Sequence, residues 1–114
     1  AVLVMTFNEY QKLAARTINP GLTPVGQLHH ALYGLCGEVG EIHSLFQKEY
    51  QGHKLDPEHL KKECGDVAWM LAEICTSYGW DMNEIAELNI EKLRARYPEG
   101  FNEEQSLNRA EGDI

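Results

Sequence analysis

The sequence predicts an all-α domain arranged as a four-helix bundle. Apolar residues recur every three or four positions in four separate stretches. Each stretch is bounded by residues that cap or end helices, and none sustains the alternation of a strand. At 114 residues the chain is expected to form a single domain, with a core over about 6–101 and a loosely attached polar tail over 102–114. Phe101 is the expected anchor of that tail.

Thr6-Phe7-Asn8-Glu9 has the form of a capping box and opens the first helix, which runs to about Ile18. Asn19-Pro20-Gly21 ends it. Thr23-Pro24 opens the second helix, with Pro in the tolerated first turn, and Gly52 marks its exit after about Tyr50. Its apolar stripe is Leu28, Leu32, Leu35, Val39, Ile42 and Phe46. Gly34, Gly37 and Gly40 interrupt this helix, each at a cost of about 1 kcal/mol relative to Ala. Close helix packing and room for a ligand both account for them. Asp56-Pro57 opens the third helix, which stops at Gly79. Asp81-Met82-Asn83-Glu84 reads as a second capping box, opening a fourth helix that Pro98 closes.

Composition narrows the function. With 43% hydrophobic and 25% charged residues, the chain is globular rather than disordered. A net charge of −8 argues against a nucleic-acid polymer as partner, because backbone binding needs clustered Lys and Arg. It leaves open a small phosphorylated ligand, since a bound divalent metal inverts the local field. No apolar run approaches the roughly 20 residues of a membrane span. Three cysteines without a CxxC pair read as reduced thiols in a cytoplasmic protein. The residues before Met5, AVLV, are too short for a signal peptide and read as an appended remnant ahead of a native start.

The chemistry is concentrated in GEVGE and ECGD. Helical positions three apart lie about 60° apart on one face, so Glu38 projects with Glu41 and Glu63 with Asp66. Met70 and Ile74 fall within about 20° of Glu63, and Ala31 and Leu45 within about 20° of Glu38. Both acidic pairs therefore lie toward the apolar stripes. Charges placed there need neutralising, by protonation, by basic partners or by cations. Inward basic residues are too few, so a hard cation held by carboxylate oxygens is the expected answer. Solvated acids at helix edges are the simpler alternative. A ferritin-like di-iron centre is excluded, because no Glu-x-x-His occurs; the carboxylate set favours Mg²⁺ or Mn²⁺.

On the fourth helix Asn89, Lys92 and Arg96 share one side, a combination suited to phosphate oxygens or to a solvated helix end. Lys48 is a weaker candidate of the same kind. Trp69, Tyr33 and Trp80 could sandwich a base or simply pack. The five histidines form no ligand pattern.

GLCGEVGEI, KKECGDVAWMLAEI and LNIEKLRARYPEGF together resemble the MazG-like all-α nucleotide pyrophosphohydrolases, over roughly residues 6–101. Where that family often carries a further Glu directly before the first acidic pair, this chain has Gly37. The resemblance implies hydrolysis of a nucleoside triphosphate between its α and β phosphates, giving the monophosphate and pyrophosphate. It implies that Glu38, Glu41, Glu63 and Asp66 hold Mg²⁺ and act in catalysis, and that Lys48, Asn89, Lys92 and Arg96 contact phosphates. It also implies a homodimer or homotetramer with sites between packed helices. Phosphoribosyl-ATP pyrophosphohydrolases share the fold and are one alternative; a non-catalytic metal-binding helical adaptor is another.

Overall fold

The computed structural model describes residues 5–114, and the reading of AVLV as a remnant lies outside them. Five helices follow in order: α1 (Phe7–Ala15), α2 (Pro24–Tyr50), α3 (Pro57–Tyr78), α4 (Met82–Arg96) and a short α5 (Glu103–Leu107). The all-α expectation holds, with four principal helices and one further turn of helix in the tail.

Local chemistry fixes most boundaries. Thr6 accepts from the Glu9 amide, Thr23 from that of Gly26 and Asp56 from that of Glu58, and α2 and α3 each begin on a proline. Gly79 ends α3 in the left-handed conformation, at φ 71°, which a glycine adopts without steric cost. Two expectations need correction. Helix α1 stops at Ala15 rather than near Ile18, because Thr17 turns its hydroxyl onto the Ala14 carbonyl at 2.7 Å. Asp81 makes no side-chain cap on α4. The first amides of α4 are capped by α1 instead: Met82 donates to Gln11 Oε1 at 2.9 Å and Asn83 to Asn8 Oδ1 at 3.0 Å.

Helices α2 and α3 form the principal packing unit. His30 meets Glu73, Gly34 meets Met70, and Glu38 meets Glu63 and Asp66. Numbers rise on one helix as they fall on the other, so the two run antiparallel. Met70 lies directly against Gly34, and a Cβ there would collide with its thioether. Gly37 and Gly40 have nothing within 4 Å of the equivalent position. Close packing therefore accounts for Gly34 alone.

The core is thin. Among the described residues, the buried apolar side chains are Ala14, Ala31, Ala72 and Cys75. Leu32, Val39 and Phe46 on α2 and Ile85, Leu88, Ile90 and Leu93 on α4 stay substantially exposed. The radius of gyration is 17.4 Å, against about 13 Å for a compact chain of this length.

The tail is more ordered than its polarity suggests. Asn102 caps α5, Tyr97 and Phe101 pack ring against ring at 5.4 Å, and Asp113 folds back onto Arg96. The ion pair ties the end of the tail back, while Phe101, packed on Tyr97, stays 78% exposed.

Candidate active site

Three of the four expected carboxylates converge. Glu38 of α2 and Glu63 and Asp66 of α3 each offer an oxygen, and these oxygens lie within 4.8 Å of one another. The α2–α3 register brings them together: the seam that seats Met70 on Gly34 places Glu38 one turn further, opposite the second and third turns of α3. Glu41 stays outside this trio and is exposed.

Among the described residues no lysine or arginine pairs with the trio. Glu63 Oε1 receives His59 Nε2 at 3.1 Å, one turn back on α3. Its other oxygen, Oε2, is buried and has no hydrogen-bond partner among the described residues. The carboxyl of Glu38 is pushed above the usual carboxylate range, first by burial, then by the Asp66 charge, by the facing Glu63 carboxyl, and by Glu41. Tyr10 of α1 reaches over the same region, its hydroxyl 3.5 Å from the Gly65 carbonyl. Burial raises the Tyr10 phenol, and the Asp66 charge adds to that.

These residues fit a hard divalent cation. Converging carboxylates with a buried, orphaned oxygen are what such an ion satisfies, and the donor set is all oxygen. A fixed positive charge also relieves the repulsion that raises Glu38.

The basic candidates are arranged differently. Lys48, Asn89 and Lys92 are exposed, and among the described residues no hydrogen bond or ion pair links them or Arg96 to the trio. Arg96 grips Asp113 through Nε at 2.8 Å and Nη2 at 2.7 Å. Helix α4 packs chiefly on α1 rather than on the α2–α3 pair.

Three further residues near the seam carry little local signal in the sequence. His59 could have been found from its i, i+4 spacing to Glu63. Tyr10 carried no signal beyond its place in an apolar stripe. His30 binds the buried Glu73 at 2.6 Å, and Glu73 lies about 20° from Asp66 on the helical wheel, two turns on.

Comparison with curated proteins and with solved structures finds no match to this chain. The family model of the MazG nucleotide pyrophosphohydrolase domain matches residues 27–101, a span that contains all three converging carboxylates and the whole of α3 and α4. The chain belongs to the MazG nucleotide pyrophosphohydrolase family.

Proposed function

We propose that this protein is a Mg²⁺-dependent nucleoside triphosphate pyrophosphohydrolase, cleaving ribo- or deoxyribonucleoside triphosphates between the α and β phosphates. The observation that carries this reading is the convergence of Glu38, Glu63 and Asp66 around a buried, unpartnered carboxylate oxygen, within a family of nucleotide pyrophosphohydrolases.

Glu38, Glu63 and Asp66 would hold the metal, with Mn²⁺ an effective substitute. A divalent ion bound there supplies charge neutralisation to the polyphosphate and acidifies a bound water. Glu41, close enough to bear on Glu38 yet exposed, is the carboxylate left to accept the proton of the attacking water. Tyr10 closes one side of the trio and helps exclude bulk water. Lys48, Asn89 and Lys92 present exposed donors for phosphate oxygens. Arg96 joins them when its grip on Asp113 is released.

Assembly completes the site. The thin core, the exposed apolar residues of α2 and α4 and the large radius of gyration support a homodimer or homotetramer that brings α4 of one copy toward the seam of another. Among the described residues no helix is long and apolar enough to cross a membrane. Three free cysteines, two of them exposed, suit the reducing cytoplasm.

The test is a screen of canonical and modified nucleoside triphosphates with Mg²⁺, reading both monophosphate and pyrophosphate. Release of both in equal amounts is expected. Glu38→Gln and Asp66→Asn are expected to abolish turnover while the helical signal persists. Monophosphate and pyrophosphate from no triphosphate, or full activity in either variant, overturns the reading.

A further inference from the structure

Glu73 is 1% exposed, and among the described residues it is the one charged side chain that is fully buried. Its Oε1 lies 2.6 Å from His30 Nδ1, and its Oε2 is buried without a partner among the described residues. The pairing commits Nδ1 of His30 to Glu73. Nε2 is the ring nitrogen left for a ligand, and the His30 side chain is 50% exposed. A second contact holds the ring. The edge of Trp69 meets it at 6.0 Å and 82°, and the Trp69 indole nitrogen is tied to Thr17 Oγ1 at 2.8 Å.

Burying a carboxylate is costly, and an apolar pair of similar size would pack at least as well. A pair serving packing alone would also bury both partners. Here the expense falls on Glu73, while the imidazole it orients faces solvent. That is how a reader of ligand is built: a buried group holds the ring in place and an exposed nitrogen makes the contact.

The pair also stands at a telling distance. Glu73 is two turns from Asp66 and His30 just over two turns from Glu38, about 10–12 Å along the α2–α3 seam. Gly34 and Met70 lie midway, and Gly37 is open above its Cα. A nucleotide with its phosphates at the acidic trio reaches this far with its nucleoside.

We propose that His30 contacts the nucleoside end of the substrate, its Nε2 hydrogen-bonding a polar group there, and that Glu73 is the positioning residue that holds the imidazole in place through Nδ1. The inference rests on the nucleotide reading of the trio.

The experiment compares wild type, His30→Ala and Glu73→Gln on the best triphosphate substrate, with the nucleoside monophosphate and inorganic pyrophosphate as inhibitors. His30→Ala is expected to raise KM and the monophosphate inhibition constant about five- to tenfold, with a much smaller change in kcat. Inhibition by pyrophosphate, which has no nucleoside, is expected to be unchanged. Glu73→Gln is expected to share part of the KM effect. In nitrogen-15 spectra of the imidazole it is expected to shift the Nδ1 resonance that the Glu73 contact sets in wild type. Unaltered KM in His30→Ala, or an equal loss of pyrophosphate inhibition, overturns the inference while leaving the hydrolase reading intact. A wild type that hydrolyses no nucleotide removes both. Should Glu73→Gln or His30→Ala fail to fold, His30→Asn, which keeps a donor for the buried Glu73 and removes Nε2, carries the test with the same outcomes.

Discussion

Arg96 holds Asp113 in a two-pronged grip, 2.8 Å from Nε to Oδ2 and 2.7 Å from Nη2 to Oδ1, across 17 residues of chain. Both side chains are nearly covered, at 10% and 13% exposure. The hydrogen bonds from Arg96, and then its charge with those of Arg109 and Lys92, hold the Asp113 carboxyl below its ordinary value. A lowered folded-state pKa contributes stability above the unfolded value of about 3.9 and loses it as pH falls through the folded value. Asp113→Asn should therefore melt below wild type at neutral pH, and the gap should close only in strong acid. Thermal melts across pH check this; a gap that persists unchanged into strong acid would mean that the ion pair is not its source.

Glu38 has the opposite sign. Its folded pKa is raised, so its contribution is favourable below the unfolded value and is lost as pH rises through the folded one. In chelator at neutral pH, Glu38→Gln and Glu63→Gln should melt above wild type, because each removes one member of a repelling trio. Mg²⁺ should reverse the order: wild type gains about 2.7 kcal/mol at a hundredfold excess over Kd, and the variants gain less. Melts with and without metal read the crossover. Variants that never exceed wild type in chelator would show that the trio is not strained.

Glu41 and Glu63 should separate in metal binding. Glu63 has a buried, orphaned oxygen inside the trio, whereas Glu41 is exposed outside it. Glu63→Gln is expected to weaken Mn²⁺ binding by about a hundredfold or more, as loss of a charged ligand from a partly buried site costs roughly 3 kcal/mol. Glu41→Gln should cost less than about tenfold in binding yet lower turnover strongly. Calorimetric titration with Mn²⁺ beside steady-state kinetics decides it, and equal binding losses would put Glu41 among the ligands.

What the sequence could and could not disclose follows from distance along the chain. Periodicity placed Glu38 with Glu41 and Glu63 with Asp66 on single helix faces, because that geometry is local. The choice of Glu38 over Glu41 depends on how α2 and α3 seat at Gly34 and Met70, a contact between helices. The capping of α4 by Gln11 and Asn8 spans more than 70 residues, so Asp81 was the only cap a local reading could offer. Asp113 likewise looked like tail because its partner lies elsewhere. Glu73 had a signal, its alignment with Asp66, but a lone acid two turns from a motif reads as surface.

The thiols report on packing directly. Cys36 and Cys64 are exposed, whereas Cys75 is buried and burial raises its thiol pKa. A maleimide reagent should modify two thiols quickly in the native protein and the third only on unfolding. Mass spectrometry of the labelled chain counts them. Equal rates at all three would mean that the α3 face carrying Cys75 is not packed as described.

Gly34 and Gly40 should respond oppositely to alanine, although both interrupt the same helix. A methyl at Gly40 meets nothing within 4 Å and removes the flexibility of glycine, which should add up to about 1 kcal/mol of stability. A methyl at Gly34 runs into the Met70 thioether on the facing helix. Overpacking of this kind costs about 1–3 kcal/mol and cancels or exceeds the helical gain. The collision predicts coupling: Gly34→Ala should be less harmful in a Met70→Ala background than in wild type, by about 1 kcal/mol in a double-mutant cycle. Chemical denaturation of the four proteins measures it. Additive effects would mean that the two helices meet at some other point, and the register that gathers Glu38, Glu63 and Asp66 would have to shift with it.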